Sequence, residues 1–475
     1  MLITVIDMKR FLCLFLILLT VAFCCGCGGD ESEDSEQLTY YYTAEYQDDM
    51  VNTIQRYNRW CSSHSTEDMK IKLIEFDNYE TMSQRLNIEV MSGGGPDLFS
   101  NYMDLPFEKL MQGGTFRDLN ELIENDTAED KIDLSAYNQT IMDAGMYDGK
   151  RYFAPVFYRI HTLVGEREDL EQFGMPTEQG YHLTFDNMDE VFAEYLENPG
   201  DLRFMNDDVR VGGVNAETVI FQLVNAQSDF ENNSVSFEEG FQDKLELLSQ
   251  LREHSVFSGD GTEAESAEEK PVLFHPVVSF SNPIWMERMM NLLSGEFDDS
   301  FPEGFVYEPE VREPVMYTCF EDDESTYTAS IVDAVFVNAK TKKDDKVLAF
   351  LKYVLGEHLQ NLYAGTDEEY WSGGDGMDCL PVLNTAFDHC VRDAHKIIDY
   401  YGIELRTKDE LSPITQALIE HIENVNSVVL YFDLYHSNYD KNVAIPILQE
   451  YWDGKIDAQK CEDNLASATK IYILE

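Results

Sequence analysis

The pattern of apolar and polar positions in the first part of the chain predicts alternating strands and helices. Leu38–Thr43 and Ile71–Phe76 are short apolar-rich runs, and apolar residues at helical spacing follow each of them. A Gly-Gly-Gly-Pro break at 93–96 leads into a third short run at 97–99. The helical positions are Met50, Ile54, Tyr57 and Cys61, then Tyr79, Met82, Leu86 and Val90. Three successive β-α units predict a parallel sheet with right-handed crossovers.

The α/β pattern continues to the C-terminus. Residues 271–274 and 331–337 are typical of buried strands, and residues 347–355 predict an amphipathic helix. Thr184 is placed to cap a helix over 188–195, and Asp457 is placed to cap a last helix over 461–472. We therefore expect an α/β protein throughout.

The N-terminal segment has the layout of a secretory signal peptide. Lys9 and Arg10 precede an apolar run at 11–23, which is shorter than the roughly 20 residues of a membrane-spanning helix. The pair Gly26-Cys27 resembles the lipobox of bacterial lipoproteins, which implies lipidation at Cys27 after removal of residues 1–26; Cys25 is the alternative. Residues 27–37 are Gly-rich and acidic and predict a flexible tether.

The charge of the chain excludes some partners. Lys and Arg number 34 against 90 Asp and Glu, a formal net charge of −56, so the chain repels nucleic acid and anionic lipid surfaces. The acidity fits either a solubilising surface or a cleft that attracts a cationic solute. Five cysteines follow Cys27, an odd number that argues against a disulfide framework, although Cys379 and Cys390 could pair.

Sequence motifs of catalysis are absent. The chain contains no H-E-x-x-H, G-x-S-x-G or Walker motif, and no two histidines share metal-ligand spacing on one helix face. We therefore expect a binding protein rather than an enzyme, without metal or cofactor. A glycosidase is an alternative that the sequence does not exclude, because a chain with 90 Asp and Glu residues contains many possible pairs of catalytic carboxylates.

A series of short motifs resembles the family 1 extracellular solute-binding proteins, the lipoprotein receptors of ABC importers. They are Met91 to Phe99 (MSGGGPDLF), Phe116 to Asn120 (FRDLN), Met146 to Pro155 (MYDGKRYFAP), Thr184 to Asp186 (TFD), Ala334 to Lys340 (AVFVNAK), Leu380 to Val382 (LPV) and Tyr451 to Ala458 (YWDGKIDA). The resemblance rests on the order in which these motifs occur over residues 39–475.

The resemblance implies a periplasmic-binding-protein-like (type II) fold, with two α/β lobes around a cleft and a hinge. It places lobe 1 at 38–155 and 327–385 and lobe 2 at 156–326 and 386–475. It also implies a monomeric receptor, lipid-anchored at the extracellular face of the membrane, that closes on a small solute and delivers it to permease subunits. Most solutes of the family are mono- or oligosaccharides. A cationic solute such as a polyamine or a peptide is the alternative.

Candidate ligand-binding residues follow from strand positions, because ligands of parallel α/β sheets bind at the carboxyl ends of the strands. Tyr158 and Arg159 follow the predicted crossing at Pro155, and Trp371 lies in a Gly-rich segment. The resemblance adds Trp285. The strand-end candidates are Tyr42, Glu45, Asp77, Asn101 and Tyr102. For each of them, core packing or charge compensation at a helix N-terminus is the competing interpretation.

Overall fold

The computed structural model describes most of the chain from residue 37 onward. The signal segment, Cys27, Glu45, Trp285, Trp371 and the side chain of Cys390 lie outside the described residues, so the predictions made for them stay predictions. The described residues are 37–44, 49–103, 105–205, 215–229, 234–255, 271–276, 286, 313–363, 379–392, 411–430 and 439–474.

Strands and helices alternate as the sequence predicts. The described strands are β1 (Leu38–Thr43), β2 (Ile71–Phe76), β3 (Leu98–Ser100), β4 (Met146–Tyr147), β5 (Lys150–Arg151), β6 (Phe153–Ile160), β7 (Thr162–Glu166), β8 (Arg203–Met205), β9 (Ser228–Asp229), β10 (Ser234–Val235), β11 (Val272–Pro276), β12 (Pro314–Thr318), β13 (Thr328–Val337), β14 (Leu380–Pro381) and β15 (Ser427–Val429). The described α-helices are α1 (Asp49–Ser63), α2 (Tyr79–Met91), α3 (Phe107–Gln112), α4 (Leu119–Glu124), α5 (Gln139–Asp143), α6 (Arg167–Gln172), α7 (Met188–Glu197), α8 (Ala216–Ala226), α9 (Phe241–Glu253), α10 (Asp344–Val354), α11 (Glu357–Tyr363), α12 (Asn384–Arg392), α13 (Pro413–Asn424), α14 (Ile445–Trp452) and α15 (Ala458–Leu474).

Two sheets form the two halves of the molecule. The first has the order β14-β6-β13-β15, with β3 also on β13, and the second has the order β12-β7-β11-β8. The long pair β6–β13 is antiparallel and runs from Phe153 opposite Phe336 to Ile160 opposite Ala329. Every residue of β13 is buried, so this strand is the centre of the first half.

Each sheet has its own hydrophobic core. The first core draws on α1, α2, β6, β13 and α10, and the second draws on α7, α8, α9, β11 and α15. The apolar positions predicted for α1 form the face that packs into the core, since Tyr57 and Cys61 are completely buried. We refer to the two halves as lobe 1 and lobe 2, and the prediction of a two-lobed α/β fold is confirmed.

Three pairs of consecutive elements in the described part of the chain have one member in each lobe. At the first crossing only His161 separates β6 from β7. At the second crossing, residues 319–327 connect β12 with β13. The third pair is β15 in lobe 1 and the π-helix Asp440–Ala444 in lobe 2. The first two crossings lie wholly within the described residues.

Several described segments that were predicted for lobe 2, β15 among them, belong to the first sheet or its core. Residues 156–160 and α13, both predicted for lobe 2, contribute to the first core. The first segment stays in lobe 1 because β6 pairs with β13 as far as Ile160. The helix α13 does so because Ile414, Leu418 and Ile422 pack into the first core.

Two local predictions need correction. The strands β1 and β2 are parallel as predicted, but β3 pairs antiparallel with β13. The carboxylate of Asp97 accepts the backbone N–H of Thr39 at 3.0 Å, a donor that strand pairing with β3 would otherwise use. Asn187 rather than Thr184 holds the N-cap position of α7; the Thr184 hydroxyl instead accepts the backbone N–H of Asn187 in the preceding turn.

Candidate functional site

The carboxyl ends of β1, β2 and β3 lie together at one edge of lobe 1, which we call the strand-end edge (Tyr42, Asp77 and Tyr102). The parallel register sets Thr43 beside Phe76, so β1 and β2 end at the same level. The hydroxyl of Tyr79 donates to the carbonyl of Tyr102 at 3.4 Å, which joins the end of β2 to the end of β3. Asp77 is exposed, and Tyr42 and Tyr102 are half-buried. Three of the five strand-end candidates therefore share one accessible edge.

Tyr42 already has a partner at this edge. Its hydroxyl donates to the Glu75 carboxylate at 2.9 Å, and that bond is the main cause of a raised pKa for Tyr42. Asn78, not Asp77, caps α2, because its side chain accepts the backbone N–H of Thr81. The carboxylate of Asp77 is thus not consumed by the cap hydrogen bond.

Asn101 lies at the same edge but has a structural task. Its side chain is 3% exposed; its Nδ2 donates to the Val332 carbonyl and its Oδ1 accepts the Ala334 N–H, each at 2.9 Å. The pairing of β13 with β6 shifts register on both sides of Asp333. A bulge leaves ladder groups unpaired, and the Asn101 amide bonds backbone groups on both sides of it. Both functional groups of the amide are therefore used by backbone.

The two candidates on β6 differ in their surroundings. Tyr158 is completely buried in the first core, whereas Arg159 is half-buried and lies opposite Ser330. Two residues further on, His161 occupies the first crossing, and its Nε2 lies 2.7 Å from the Ser330 hydroxyl. Arg159 is therefore the β6 candidate that solvent or a solute can reach.

The second crossing contains a buried acid next to a buried imidazole. The backbone of Glu321 belongs to lobe 2, because its N–H donates to the Leu183 carbonyl and its carbonyl accepts the N–H of Phe185. Its carboxylate faces lobe 1, where Oε1 accepts the N–H of Thr328 at 3.0 Å and lies 3.6 Å from Nε2 of His421 on α13. Glu321 is 1% and His421 2% exposed. We call Glu321, His421, His161 and Ser330 the crossing cluster.

Burial governs the protonation of this cluster. Burial raises the pKa of Glu321 to about 8, and the neighbouring Asp322 and Asp323 add to the effect. Burial lowers the pKa of His421 to about 3, with the charge of His182 in support, and lowers the pKa of His161 well below its usual value. The cluster therefore holds a protonated acid and neutral imidazoles near neutral pH.

A polar groove of about 590 Å³ lies elsewhere on lobe 1. It adjoins the start of α4 and the start of α10, where the Arg117 guanidinium makes two hydrogen bonds to the Asp344 carboxylate. Ala339, just beyond the far end of β13, is one of its lining residues. The ten residues of β13 separate the groove from the second crossing by roughly 30 Å at the usual strand rise. The groove is therefore distinct from the space between the lobes.

Two kinds of feature, metal-binding clusters and membrane-spanning helices, are absent from the part of the chain that the structure describes. No group of three or more His, Cys, Asp or Glu side chains there is arranged to hold a metal ion. No described helix combines the length and apolar character needed to cross a bilayer.

Comparison with solved structures identifies the class of fold. A chitin oligosaccharide binding protein matches 93% of this chain and 100% of its own, with 12% identity and a TM-score of 0.57. An ABC substrate-binding protein from Listeria monocytogenes in complex with cycloalternan matches 92% and 98%, with 12% identity and a TM-score of 0.54. UgpB from Mycobacterium tuberculosis in complex with glycerophosphocholine matches to the same extent, with 12% identity and a TM-score of 0.54. The chain has the fold of extracellular solute-binding proteins.

Comparison by sequence adds nothing to this result. No protein-family model matches the chain, and no curated protein matches it. Identities of 12% show a common fold, while the bound solutes differ between the solved structures. The nature of the solute therefore has to be argued from this chain's own residues.

Sequence reasoning missed the crossing cluster and Asp333. One signal was available: Asp333 is an acid in the middle of a strand whose other residues are mostly apolar, and it is completely buried. Glu321 and His421 carry no such signal, because they are 100 positions apart and each lies in an ordinary polar or amphipathic context.

Proposed function

We propose that this protein is a lipid-anchored extracellular receptor of an ABC importer, which captures a mono- or oligosaccharide between its two lobes. The observation that carries the proposal is the two-lobed fold itself, shared with solute-binding proteins over more than nine-tenths of the chain. In such a fold, two bodies joined by short crossings can close on a ligand, and the ligand shifts the balance toward the closed state.

The strand-end edge supports a saccharide as the solute. Small-molecule clefts combine aromatic faces with a few polar groups. Tyr42 and Tyr102 offer half-buried rings at the edge, and Asp77 offers an exposed carboxylate that can accept hydrogen bonds from hydroxyl groups. The ligands named for two similar proteins, chitin oligosaccharide and cycloalternan, are also carbohydrates.

A cationic solute is the second candidate, and the charge of the chain favours it. The net charge is −56, and Glu75 and Asp77 are both exposed at the end of β2. A solute that carries an ammonium group would be attracted to this edge. The similar structure with glycerophosphocholine shows that the fold also accommodates a ligand other than a sugar.

A thermal-shift screen separates these candidates. Chito- and malto-oligosaccharides form one arm, and spermidine and choline esters form the other. A solute at one hundred times its Kd stabilises the folded state by about 2.7 kcal/mol, a shift that is readily measured. Tyr102→Ala should reduce this stabilisation by about half, while Tyr147→Ala, on the β4–β5 hairpin, should retain it. Stabilisation by the amines alone would favour the cationic solute.

Product analysis of the same samples tests the enzymatic alternative. A receptor binds the glycan and returns it unchanged, so chromatography should show only the starting oligosaccharide. Shorter fragments that appear with time would show that the protein is a glycosidase and not a receptor. Uptake of the bound solute is then compared in cells that have the protein and cells that lack it. This comparison tests whether the protein delivers the solute to a permease.

The lipid anchor requires its own experiment. Cells that express the full chain are fed an alkyne fatty acid, and the protein is examined for the label. Cys27→Ser should remove the label and release the protein from the membrane, while Cys25→Ser should leave both unchanged. The opposite pattern would move the anchor to Cys25.

A further inference from the structure

The second crossing connects the lobes through side chains as well as through the chain. The backbone of Glu321 is hydrogen-bonded to lobe 2 at Leu183 and Phe185. Its carboxyl group is hydrogen-bonded to the first residue of β13 and lies 3.6 Å from His421. A rotation of one lobe against the other at this crossing must therefore move the carboxyl group relative to His421 or break its bond to Thr328.

Tyr327 makes a second link at the same place. Its ring contacts His182 edge-on, with centroids 4.6 Å apart, and contacts His421 edge-on at 5.2 Å. His182 in turn lies 3.1 Å from the carbonyl oxygen of Asp323 through its Nε2. The pair Glu321–His421 is thus enclosed by groups that belong to both sides of the crossing.

We propose that Glu321 and His421 form a proton-controlled hinge contact, in which loss of the Glu321 proton drives the lobes out of the arrangement seen here. The Oε2 atom of Glu321 is buried and receives no hydrogen bond from the described residues. A carboxylate in that place would lack a donor at one oxygen, and an unpaired charge at a buried site is costly. A protonated carboxyl group avoids that cost.

Among the described residues, no lysine or arginine is a main cause of the pKa shift of Glu321 or of His421. The titratable groups that act on the pair come from every neighbouring segment. They are Asp322 and Asp323 beside Glu321, His182 from lobe 2, Tyr327 in the crossing, Glu420 beside His421, His161 at the first crossing, and Arg159 on β6, whose positive charge acts on His161. Burial of the acid and the two nearby aspartates both raise the pKa of Glu321, so deprotonation falls close to physiological pH.

The inference concerns the hinge and does not depend on which solute binds, so its test uses the full chain without solute. Fluorescent labels on bio-orthogonal residues at the exposed positions of Glu124 in lobe 1 and Glu450 in lobe 2 report the distance between the lobes. Energy transfer in the wild type should change from about pH 6 to about pH 9, with a midpoint near 8. Glu321→Gln, which imitates the protonated acid, should abolish the change. Glu357→Gln, an exposed glutamate on α11, should keep it.

Infrared spectroscopy on the same pH series follows the proton directly. The C=O band of a buried protonated carboxyl group should disappear at the pH at which energy transfer changes, and Glu321→Gln should lack the band. If Glu321→Gln does not fold, coincidence of the two wild-type midpoints still supports the proposal. Energy transfer that stays constant while the band titrates, or that changes equally in Glu321→Gln, would overturn it.

Discussion

The strand-end edge and the crossing cluster both contain ionisable side chains, but in opposite environments. At the edge, Asp77 is exposed and Tyr42 and Tyr102 are half-buried, so a solute can reach part of each side chain. In the cluster, Glu321, His421 and His161 are at most 5% exposed and contact each other's segments across the crossing. Substitutions at the edge should therefore change solute affinity and leave stability alone, whereas changes in the cluster or beneath the edge should change stability and its pH dependence.

The largest expected effect is at Asn101, which connects the edge to the buried strand below it. Asn101→Ala removes a donor and an acceptor and leaves the Val332 carbonyl and the Ala334 N–H without their partner. Each buried unsatisfied group costs about 1–3 kcal/mol, so the free energy of unfolding should fall by about 3 kcal/mol. Urea denaturation measures this loss.

Asn78→Ala is the matched control for that experiment. It removes the cap of α2 at a half-buried position and should cost about 1 kcal/mol. Equal losses for the two variants would mean that the Asn101 amide is not a special support for β13, and would return Asn101 to the group of solute-binding candidates.

The second prediction concerns the pH dependence of stability. The pKa of Glu321 rises from 4.5 to about 8 on folding, and the pKa of His421 falls from 6.5 to about 3. Between about pH 4.5 and 6.5 the unfolded chain and the folded protein hold the same number of protons on this pair, so stability is at a plateau. Above about pH 6.5 the folded state holds one proton more, and stability falls as pH rises toward 8. Below about 4.5 the unfolded state holds one more, and stability falls as pH falls toward 3.

One proton over the interval from about pH 6.5 to 8 amounts to about 2 kcal/mol. Denaturation midpoints across the pH range measure this decline. Glu321→Gln should remove the decline above about pH 6.5 and turn the plateau into a slope, because His421 alone then lowers stability from about pH 6.5 down to about 3. His421→Gln should remove the decline below about pH 4.5 and extend the alkaline decline down to that pH, because Glu321 alone then lowers stability from about pH 4.5 to 8. A variant in which both sides persist would show that other groups control the pH profile.

The two regions differ in how far they could be predicted from the sequence. Features that depend on neighbouring residues could be predicted, and features that depend on distant residues could not. The bounds of β2 and the buried face of α1 follow from local periodicity, and both agree with the structure. The strand-end edge could be predicted from the rule that ligands of parallel α/β sheets bind at the carboxyl ends of the strands. The role of Asn101 could not be predicted, because it depends on a bulge in a strand more than 200 positions away. The contact of Glu321 with His421 depends on where the chain crosses between lobes, which local patterns do not encode.

The third prediction is a change in affinity at the edge. Tyr102→Ala removes a half-buried ring at the end of β3 and should weaken solute binding about tenfold, since aromatic contacts contribute about 1 kcal/mol or more. Stability should change by less than the Asn101→Ala loss, because Tyr79 bonds to the backbone of Tyr102 and not to its side chain. Calorimetric titration with the solute from the screen measures the affinity. Unchanged binding would remove Tyr102 from the site.

The smallest effect is expected for Tyr42→Phe, which keeps the ring and deletes the hydroxyl. The hydroxyl donates to Glu75 at an exposed position, so its loss should change stability by no more than about 0.5 kcal/mol. If the hydroxyl also accepts a hydrogen bond from the solute, affinity should fall by about threefold. Glu75→Gln separates the two roles, because it weakens the bond to Tyr42 and leaves the hydroxyl in place. If Tyr42→Phe still lowers the affinity threefold in the Glu75→Gln background, the hydroxyl bonds to the solute. If the loss of affinity vanishes in that background, the hydroxyl serves only the bond to Glu75.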